Sequence, residues 1–169
     1  MTAEELALEI NDRLEEAYDY DEPELRVNKG YIISAVPPSL LSVMWKQCAP
    51  LLLKVVDVSH GEITLQSTKE RLEQGRSLLL IVVKEDVVVS ATVIEVREFD
   101  SGKKALYLPL MGGYEMDEWG DQMLFVAKAI GRDFGCTELR GLAARNGWIR
   151  KLKSRGWEEV SVAISCKID

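Results

Sequence analysis

The sequence contains few of the residues from which metal centres and disulfide frameworks are built. Its 169 residues include one histidine and three widely separated cysteines, and no two cysteines stand in a CxxC pair. A thiolate–imidazole metal cluster is therefore not expected. Because the number of cysteines is odd and no leader precedes them, we expect buried free thiols in a reducing compartment rather than disulfides.

Long apolar runs are also missing. No stretch approaches the roughly 18–20 apolar residues that span a bilayer. The opening MTAEELALEINDRLEEAY is acidic, where a secretory signal would be basic and then apolar. We therefore expect a cytoplasmic protein that does not contact membranes. With 47% hydrophobic residues, the chain can bury a core of its own.

Basic residues are scarce at the N-terminus. The first 25 residues carry ten acids and one base, Arg13, whereas the other 144 residues have a net charge of +2. Thr2 and Glu5 stand at capping-box positions before an apolar stripe with helical spacing. We predict an acidic N-terminal helix and extension over 1–25 and one domain over 26–169. The acidic face is interpreted as a solvated surface, with a docking arm for a basic partner as the alternative.

Beyond residue 30, strand and helix patterns alternate. Runs rich in Val, Ile and Leu between charged turns predict strands over 31–36, 77–83, 87–98, 103–111, 137–143 and 158–168. Apolar spacing predicts helices over 40–57, 64–74 and 121–134, and a short basic helix within 145–157. In the first of these helices, Ser39 is the predicted cap, and Pro50 should kink or divide the helix.

The order of these elements defines a fold class. Three strands joined by tight turns form an antiparallel meander. The next two strands are joined by the long helix, and such a crossover makes them parallel neighbours. The sequence therefore predicts an α/β fold with a mixed sheet flanked by helices.

The closing run RNGWIRKLKSRGWEEV adds a motif to this order. It resembles the end motif of the GNAT (N-acetyltransferase) fold superfamily through Asn146, Ile149, Leu152, Gly156 and Trp157. The resemblance covers roughly residues 31–169 and implies a GNAT-like sheet. In detail the chain looks most like small, divergent GNAT-like proteins encoded among bacteriophage structural genes, which implies a location in the host cytoplasm or the virion.

Two departures from the family's pattern bear on activity. The family binds the pyrophosphate of acetyl-CoA at the loop before the long helix, through backbone N–H groups and a basic residue. The matching stretch here, 112–120 (GGYEMDEWG), has three carboxylates and no basic residue. A pyrophosphate bound here would bring its negative charge close to these carboxylates. Like charges about 4 Å apart cost about 1 kcal/mol even in water, so this stretch disfavours pyrophosphate binding. Leu152 stands where many members place a tyrosine, and leucine cannot donate a proton.

These departures favour a GNAT-fold protein that is not a working acetyltransferase and needs no cofactor. It would act through protein contacts, with a virion or host protein or with a second copy, in phage virion assembly or host takeover.

An atypical acetyl-CoA-dependent N-acyltransferase is the alternative. The edge of the strand over 108–111 would hold the pantetheine, and the paired glycines would let the phosphates approach. Glu95 and Tyr114 are the catalytic candidates, although a strand carboxylate such as Glu95 more simply faces solvent. The cofactor-binding candidates are Leu110, Met111, Gly112 and Gly113.

A second alternative is a nucleic-acid accessory protein. The last helix is strongly basic and adjoins two tryptophans, a composition that can bind phosphate backbones or an acidic protein surface. The candidate partner-binding residues are Arg145, Arg150, Lys151, Lys153 and Arg155.

Overall fold

The computed structural model describes residues 1–19, 30–143 and 145–168. Helices α1 to α5 span Ala3–Asp19, Leu41–Val56, Leu65–Glu73, Met116–Asp133 and Asn146–Lys153. Strands β1 to β5 span Tyr31–Val36, Leu78–Lys84, Val87–Glu98, Lys104–Gly113 and Glu138–Gly141. The predicted boundary between extension and domain, after residue 25, lies outside the described residues.

The five strands form one sheet in the order β1-β2-β3-β4-β5. The first four strands run antiparallel to their neighbours, and β5 runs parallel to β4. The parallel pair follows from α4, which carries the chain back along the sheet between the two strands. This arrangement confirms the predicted mixed sheet.

Each face of the sheet has its own core. On one face, α1 and α4 cover alternate strand residues, and Trp119 and Met123 of α4 are fully buried there. On the other face, α2 and α3 pack against the intervening positions of β2, β3 and β4. The sheet is therefore buried on both sides, which explains why the residues of β2 form a continuous apolar run in the sequence.

Helix α1 shares the core of the first face. Its Ala7, Ile10 and Leu14 are buried against the sheet. The predicted capping box is confirmed, because the Thr2 backbone N–H donates to the Glu5 carboxylate (2.7 Å) and the Glu5 N–H donates to Thr2 Oγ1 (3.2 Å).

The expected cap of α2 is wrong, and of the two effects expected of Pro50 the division of the helix is wrong. Ser39 does not cap the helix, because its backbone N–H and its hydroxyl both donate to the Glu4 carboxylate. Pro50 does not divide the helix, which continues to Val56. Pro50 is exposed, so the carbonyl left without its helical N–H partner can bind water instead.

The same region passes a simple test for a membrane span. Pro38–Val56 is long enough and apolar enough to cross a membrane, judged by length and composition only. A single helix of this kind is weak evidence for a membrane span. Its Leu41, Cys48, Leu51 and Leu52 are buried against the sheet.

The predicted burial of the cysteines holds for one of the three. Cys48 is buried in α2, and this burial raises the pKa of its thiol to about 11. Cys136 is half-buried, and its pKa is also raised by burial. Cys166 is exposed, so for this residue the expectation is wrong.

The predicted strand over 158–168 is also wrong. The segment has the apolar–polar alternation of a strand, but it belongs to no sheet among the described residues. Val160, Val162, Ile164 and Ile168 are exposed to between 63% and 100%. The alternation predicts a strand that buries one face, and among the described residues this segment packs against no part of the sheet.

Candidate functional site

A bulge in β4 determines where the site lies. The register of β3 and β4 changes from Glu95 opposite Tyr107 to Val93 opposite Leu110, so β4 has one extra residue at this point. Pro109 lies within this stretch and has no N–H to donate to the ladder. A bulge bends the strand that carries it, and the bend occurs where β4 and β5 stop pairing.

Past the bulge, the parallel pair opens. The pairing of β4 with β5 ends at Leu108 opposite Gly141, although β4 continues for five more residues to Gly113. A cleft with a cavity volume of about 70 Å³ opens there. One water needs about 10–15 Å³ by this measure, so the cavity can hold several non-hydrogen atoms of a ligand.

The cleft is lined from both faces of the sheet. Helix α2 contributes Lys54 and Val55, and α5 with its following turn contributes Trp148, Leu152 and Trp157. Two lining side chains are basic and none is acidic. In a chain with net charge −7, such a lining favours an apolar ligand that carries negative charge. The other lining residues are Val58, Leu108, Met111, Gly112, Gly113, Gly141, Leu142, Ala143 and Arg145.

The free edge of β4 presents backbone groups to the cleft. The Tyr114 N–H donates to the Val89 carbonyl across the ladder (2.9 Å). Hydrogen-bonded and non-hydrogen-bonded pairs alternate along an antiparallel ladder. In the register that sets Met111 opposite Thr92, the N–H and C=O of Met111 therefore point away from β3, toward the opening.

The paired glycines at the end of β4 have a packing role. A Cβ added to Gly112 would clash with the carbonyl oxygen of Leu51 and lie 3.0 Å from its carbonyl carbon. A Cβ on Gly113 would lie 2.5 Å from the carbonyl oxygen of Val89. Glycine at these positions lets α2 and β3 approach the backbone of β4, whereas the sequence suggested an approach by phosphates.

The N-terminus of α4 is acidic, as expected, but its charge is largely paired. The Asp117 carboxylate lies 3.0 Å from Lys151 Nζ and 3.7 Å from Arg155. The Asp121 carboxylate accepts a hydrogen bond from Arg155 Nε at 2.6 Å. The basic side chains of α5 are thus turned toward the same helix end at which a pyrophosphate would bind in the family.

Glu115 precedes α4 in a left-handed conformation (φ 59°). Its carboxylate accepts hydrogen bonds from the Tyr31 hydroxyl and from Lys84. The Tyr31 hydrogen bond, helped by the Lys84 charge, lowers the pKa of Glu115. The same hydrogen bond raises the pKa of Tyr31.

Of the two catalytic candidates, Tyr114 lies near the cleft. It is exposed, and its hydroxyl accepts a hydrogen bond from Lys54, whose ammonium also lies 4.0 Å from the centre of the tyrosine ring. Lys54 lines the cleft, so this pair connects the tyrosine to the site.

Glu95 lies away from the cleft. Its carboxylate accepts from Ser77 Oγ at 3.0 Å and from Arg97 Nε at 2.7 Å, and Arg71 lies 3.5 Å away. The expectation that it faces solvent is wrong, because Glu95 is buried. Two arginines and a hydroxyl compensate its charge, an arrangement typical of a structural ion-pair cluster.

The other predicted site residues divide between cleft and core. Met111, Gly112 and Gly113 line the cleft, whereas Leu110 is buried in the core beneath α2. The sequence missed Lys54 and Trp148 as lining residues. The one sequence signal for the opening was Pro109, because a proline inside a strand pattern indicates an edge or a bulge.

The basic residues of α5 are mostly engaged within the chain. Arg145 donates to the Lys54 carbonyl at 3.0 Å, and Lys153 lies 3.4 Å from Glu159. Lys151 and Arg155 pair with the acids of α4, as described above. Four of the five predicted partner-binding side chains therefore already have an intramolecular contact.

Comparison with known structures identifies the fold. An aminoglycoside acetyltransferase from an uncultured soil metagenomic sample matches with a TM-score of 0.62 and 14% identity, covering 85% of this chain and 100% of its own. A GNAT family acetyltransferase from Staphylococcus aureus matches with a TM-score of 0.56 and 12% identity, covering 82% of this chain and 99% of its own. A predicted acetyltransferase with acetyl-CoA from Clostridium acetobutylicum matches with a TM-score of 0.60 and 11% identity, covering 81% of this chain and 96% of its own.

The chain therefore has the GNAT acetyltransferase fold, as its sequence pattern predicted. No family model matches the sequence, and no curated protein matches it. At 11–17% identity in structures with TM-scores of 0.60–0.63, the similarity defines the fold and leaves the activity to be argued from the site.

Proposed function

We propose that the protein binds acetyl-CoA in the cleft and acts as an atypical N-acyltransferase. The observation that carries this proposal is the opening of β4 from β5 beyond Leu108 and Gly141. It leaves an unpaired strand edge beside a cavity with apolar walls and two basic side chains. Similar structures are acetyltransferases, and one of them contains acetyl-CoA.

The chemistry to be assisted is acyl transfer. The amine nitrogen would bond to the thioester carbonyl carbon while the carbon–sulfur bond breaks. The leaving thiolate would take up a proton, and the proton lost by the nitrogen would pass to solvent. The Met111 N–H is suited to hold a carbonyl oxygen along the strand edge, because fixed backbone donors stabilise oxygen as it gains negative charge.

Proton transfer would depend on Tyr114. Leu152 lies in the cleft wall and cannot donate a proton. The Tyr114 hydroxyl is held by Lys54, and in this proposal it protonates the leaving thiolate. Tyr114→Phe should then lower kcat and leave the Kd for acetyl-CoA unchanged.

Affinity for the cofactor should be modest. Lys151 and Arg155 pair with acids of the first turns of α4, and a pyrophosphate at this helix end would have to compete with Asp117 and Asp121 for them. Replacing Asp117 by Asn should therefore strengthen binding, because it frees Lys151 and removes a like charge.

Calorimetric titration with acetyl-CoA tests the proposal. We expect micromolar binding, weakened about tenfold or more by Lys54→Glu, since a charge reversal in the lining opposes a polyanionic ligand. Lys46→Glu is the matched control, because it makes the same change on an exposed part of α2 outside the cleft lining and should leave binding intact. No binding at millimolar acetyl-CoA would rule the proposal out.

That negative result would instead favour a GNAT-fold protein that acts through protein contacts, in phage virion assembly or host takeover. The acids at Asp117 and Glu118 and the leucine at 152 are the observations in its favour. Nucleic-acid binding by α5 and its flanking residues has less support, because four of the five candidate basic side chains already contact groups of this chain.

A further inference from the structure

Of the described residues that line the cleft, Lys54 alone carries an amine. The other basic lining residue, Arg145, has a guanidinium, which stays protonated and is not a nucleophile. Lys54 is exposed in the last turn of α2. Its Nζ donates to the Tyr114 hydroxyl and lies 4.0 Å from the centre of that ring. The cleft therefore contains an acyl acceptor that belongs to the chain itself.

The Tyr114 hydroxyl brings this amine close to the reacting bond. In the proposed reaction that hydroxyl protonates the leaving sulfur, so the Tyr114 oxygen and the sulfur are one hydrogen bond apart. Lys54 Nζ contacts the same oxygen. Two hydrogen bonds in series place Nζ within about 6 Å of the sulfur. The flexible four-carbon stem of lysine allows Nζ to close the remaining distance to the thioester carbon.

The backbone that carries Lys54 is fixed on two sides. The Leu51 carbonyl, one turn earlier in α2, packs against Gly112 of β4. The Lys54 carbonyl accepts a hydrogen bond from Arg145 at 3.0 Å, just before α5. Both contacts hold the base of the side chain beside the opening between β4 and β5. An amine held next to a bound thioester reacts far faster than the same amine free in solution.

We propose that the protein acetylates itself at Lys54, an inference that rests on the proposed binding of acetyl-CoA in the cleft. After one proton has passed from Nζ to solvent, Nζ bonds to the thioester carbonyl carbon and the carbon–sulfur bond breaks. The nitrogen gives a second proton to the Tyr114 oxygen, while the Tyr114 hydroxyl proton passes to the leaving thiolate. The products are acetyl-lysine at position 54 and free CoA.

This modification limits further binding at the same cleft. It converts one of the two positively charged lining side chains into a neutral amide. A neutral side chain no longer attracts a polyanionic ligand. Protein acetylated at Lys54 should therefore bind CoA up to about fivefold more weakly than unmodified protein, a smaller effect than that of the charge reversal in Lys54→Glu.

Mass spectrometry of the unaltered full chain tests the self-acetylation, after calorimetry has measured acetyl-CoA binding. Lys46 is the internal control, because it is exposed on the same helix, about 12 Å from Lys54, and lies outside the cleft lining. During incubation with acetyl-CoA, Lys54 should be acetylated at least about tenfold faster than Lys46, which reports background chemical acetylation.

Two further measurements separate reaction in the cleft from reaction in solution. Excess CoA should slow acetylation of Lys54 and leave that of Lys46 unchanged, because CoA competes only for the cleft. Tyr114→Phe should slow acetylation of Lys54 about tenfold or more, since it removes the proton relay, and should not affect Lys46.

The possible outcomes distinguish this inference from the proposed function. If acetyl-CoA binds but Lys54 is modified no faster than Lys46, self-acetylation is overturned and the cofactor site stands. If no acetyl-CoA binds at millimolar concentration, both are overturned. The fraction modified at a given time should not depend on protein concentration. A fraction that rises with concentration would show that one copy acetylates another, which overturns the intramolecular step.

Discussion

Gly112 determines how closely α2 can approach β4. Its missing side chain leaves space for the carbonyl of Leu51, and Val55 of the same helix would also touch an added Cβ. The last turn of α2 carries Lys54 into the cleft, and the turn that follows the helix carries Val58 there. A contact between two backbones therefore sets the position of one wall of the site.

Gly112→Ala should destabilise the protein by about 1–3 kcal/mol, because the added methyl overpacks a backbone contact that no rotamer change can relieve. Urea unfolding measures the effect. Gly147→Ala is the control, since nothing lies within 4 Å of a Cβ there and alanine in a helix gains up to about 1 kcal/mol over glycine. Equal stability of Gly112→Ala and the unaltered protein would contradict the close approach.

Roles of single residues were the hardest to predict. The sequence offered Gly112 as a residue that admits phosphates, and the structure places it under a helix backbone. Glu95 looked like a solvent-facing carboxylate, yet Arg71 and Arg97 allow its burial. In both cases one deciding neighbour, Leu51 for Gly112 and Arg71 for Glu95, lies on a different element and is distant in sequence, so local spacing could not reveal it.

Among the helices, α1 is fixed to the sheet by one side chain in particular. The Asn11 side-chain amide donates to the Ala35 carbonyl at 2.9 Å, and its oxygen accepts from the Ala35 N–H at 2.7 Å. Ala35 is buried on β1, the strand at the other end of the sheet from β5. The asparagine thus replaces the neighbouring strand that β1 does not have on this side.

Asn11→Ala should cost about 1–3 kcal/mol, because it leaves a buried N–H and a buried carbonyl without partners. Chemical denaturation gives the free energy of unfolding. Asp12→Ala, one residue along and exposed, should change it by less than about 0.5 kcal/mol. If the two variants were equally stable, the amide would not be what attaches α1 to the strand.

Helices and strands could be predicted where the spacing of apolar residues within the element is enough to define it. β1 and β3 have their predicted bounds, and α3 lies within the predicted range 64–74. Helix α4 begins five residues earlier than predicted, at Met116, because Met116 and Trp119 extend its buried stripe. The acids in its first turn, which suggested a loop, stabilise a helix N-terminus. The final strand was mispredicted because apolar–polar alternation indicates that one face of a segment could be buried and does not show that a neighbouring strand is in place.

Taken together, the three groups around Glu115 connect distant parts of the chain. Tyr31 is on β1, Lys84 ends β2, and Glu115 leads into α4. The Glu115 carboxylate therefore links the first two strands to the start of the long helix. Because this link depends on the charge of the carboxylate, its stability should depend on pH.

The pKa of Glu115 is lowered in the folded protein from an ordinary value of 4.5. Its stabilising contribution is therefore fully present above that value and is lost as the pH falls through the lowered pKa. We expect Glu115→Gln to lower Tm at about pH 6, and the difference from the unaltered protein to shrink toward about pH 3. Thermal melts across this range measure it.

Glu62→Gln, at an exposed carboxylate, is the control and should show no such dependence. A Glu115→Gln deficit that stayed constant from neutral to acid pH would show that the carboxylate charge is not what stabilises the junction.

The cleft could be predicted only in part. Its strand edge follows from the order of elements and from Pro109, but its walls come from α2, α5 and the turn after β5, which are far apart in the chain. The meeting of Lys54, Trp148 and Met111 depends on the packing of both faces of the sheet, which no local pattern encodes.

The asparagine on α1 has a further consequence. By occupying the backbone N–H and carbonyl of Ala35, it removes from the outer edge of β1 one donor–acceptor pair on which another strand could align. Edge-to-edge pairing of β1 with another chain is thereby disfavoured at this point, which protects the sheet against aggregation there.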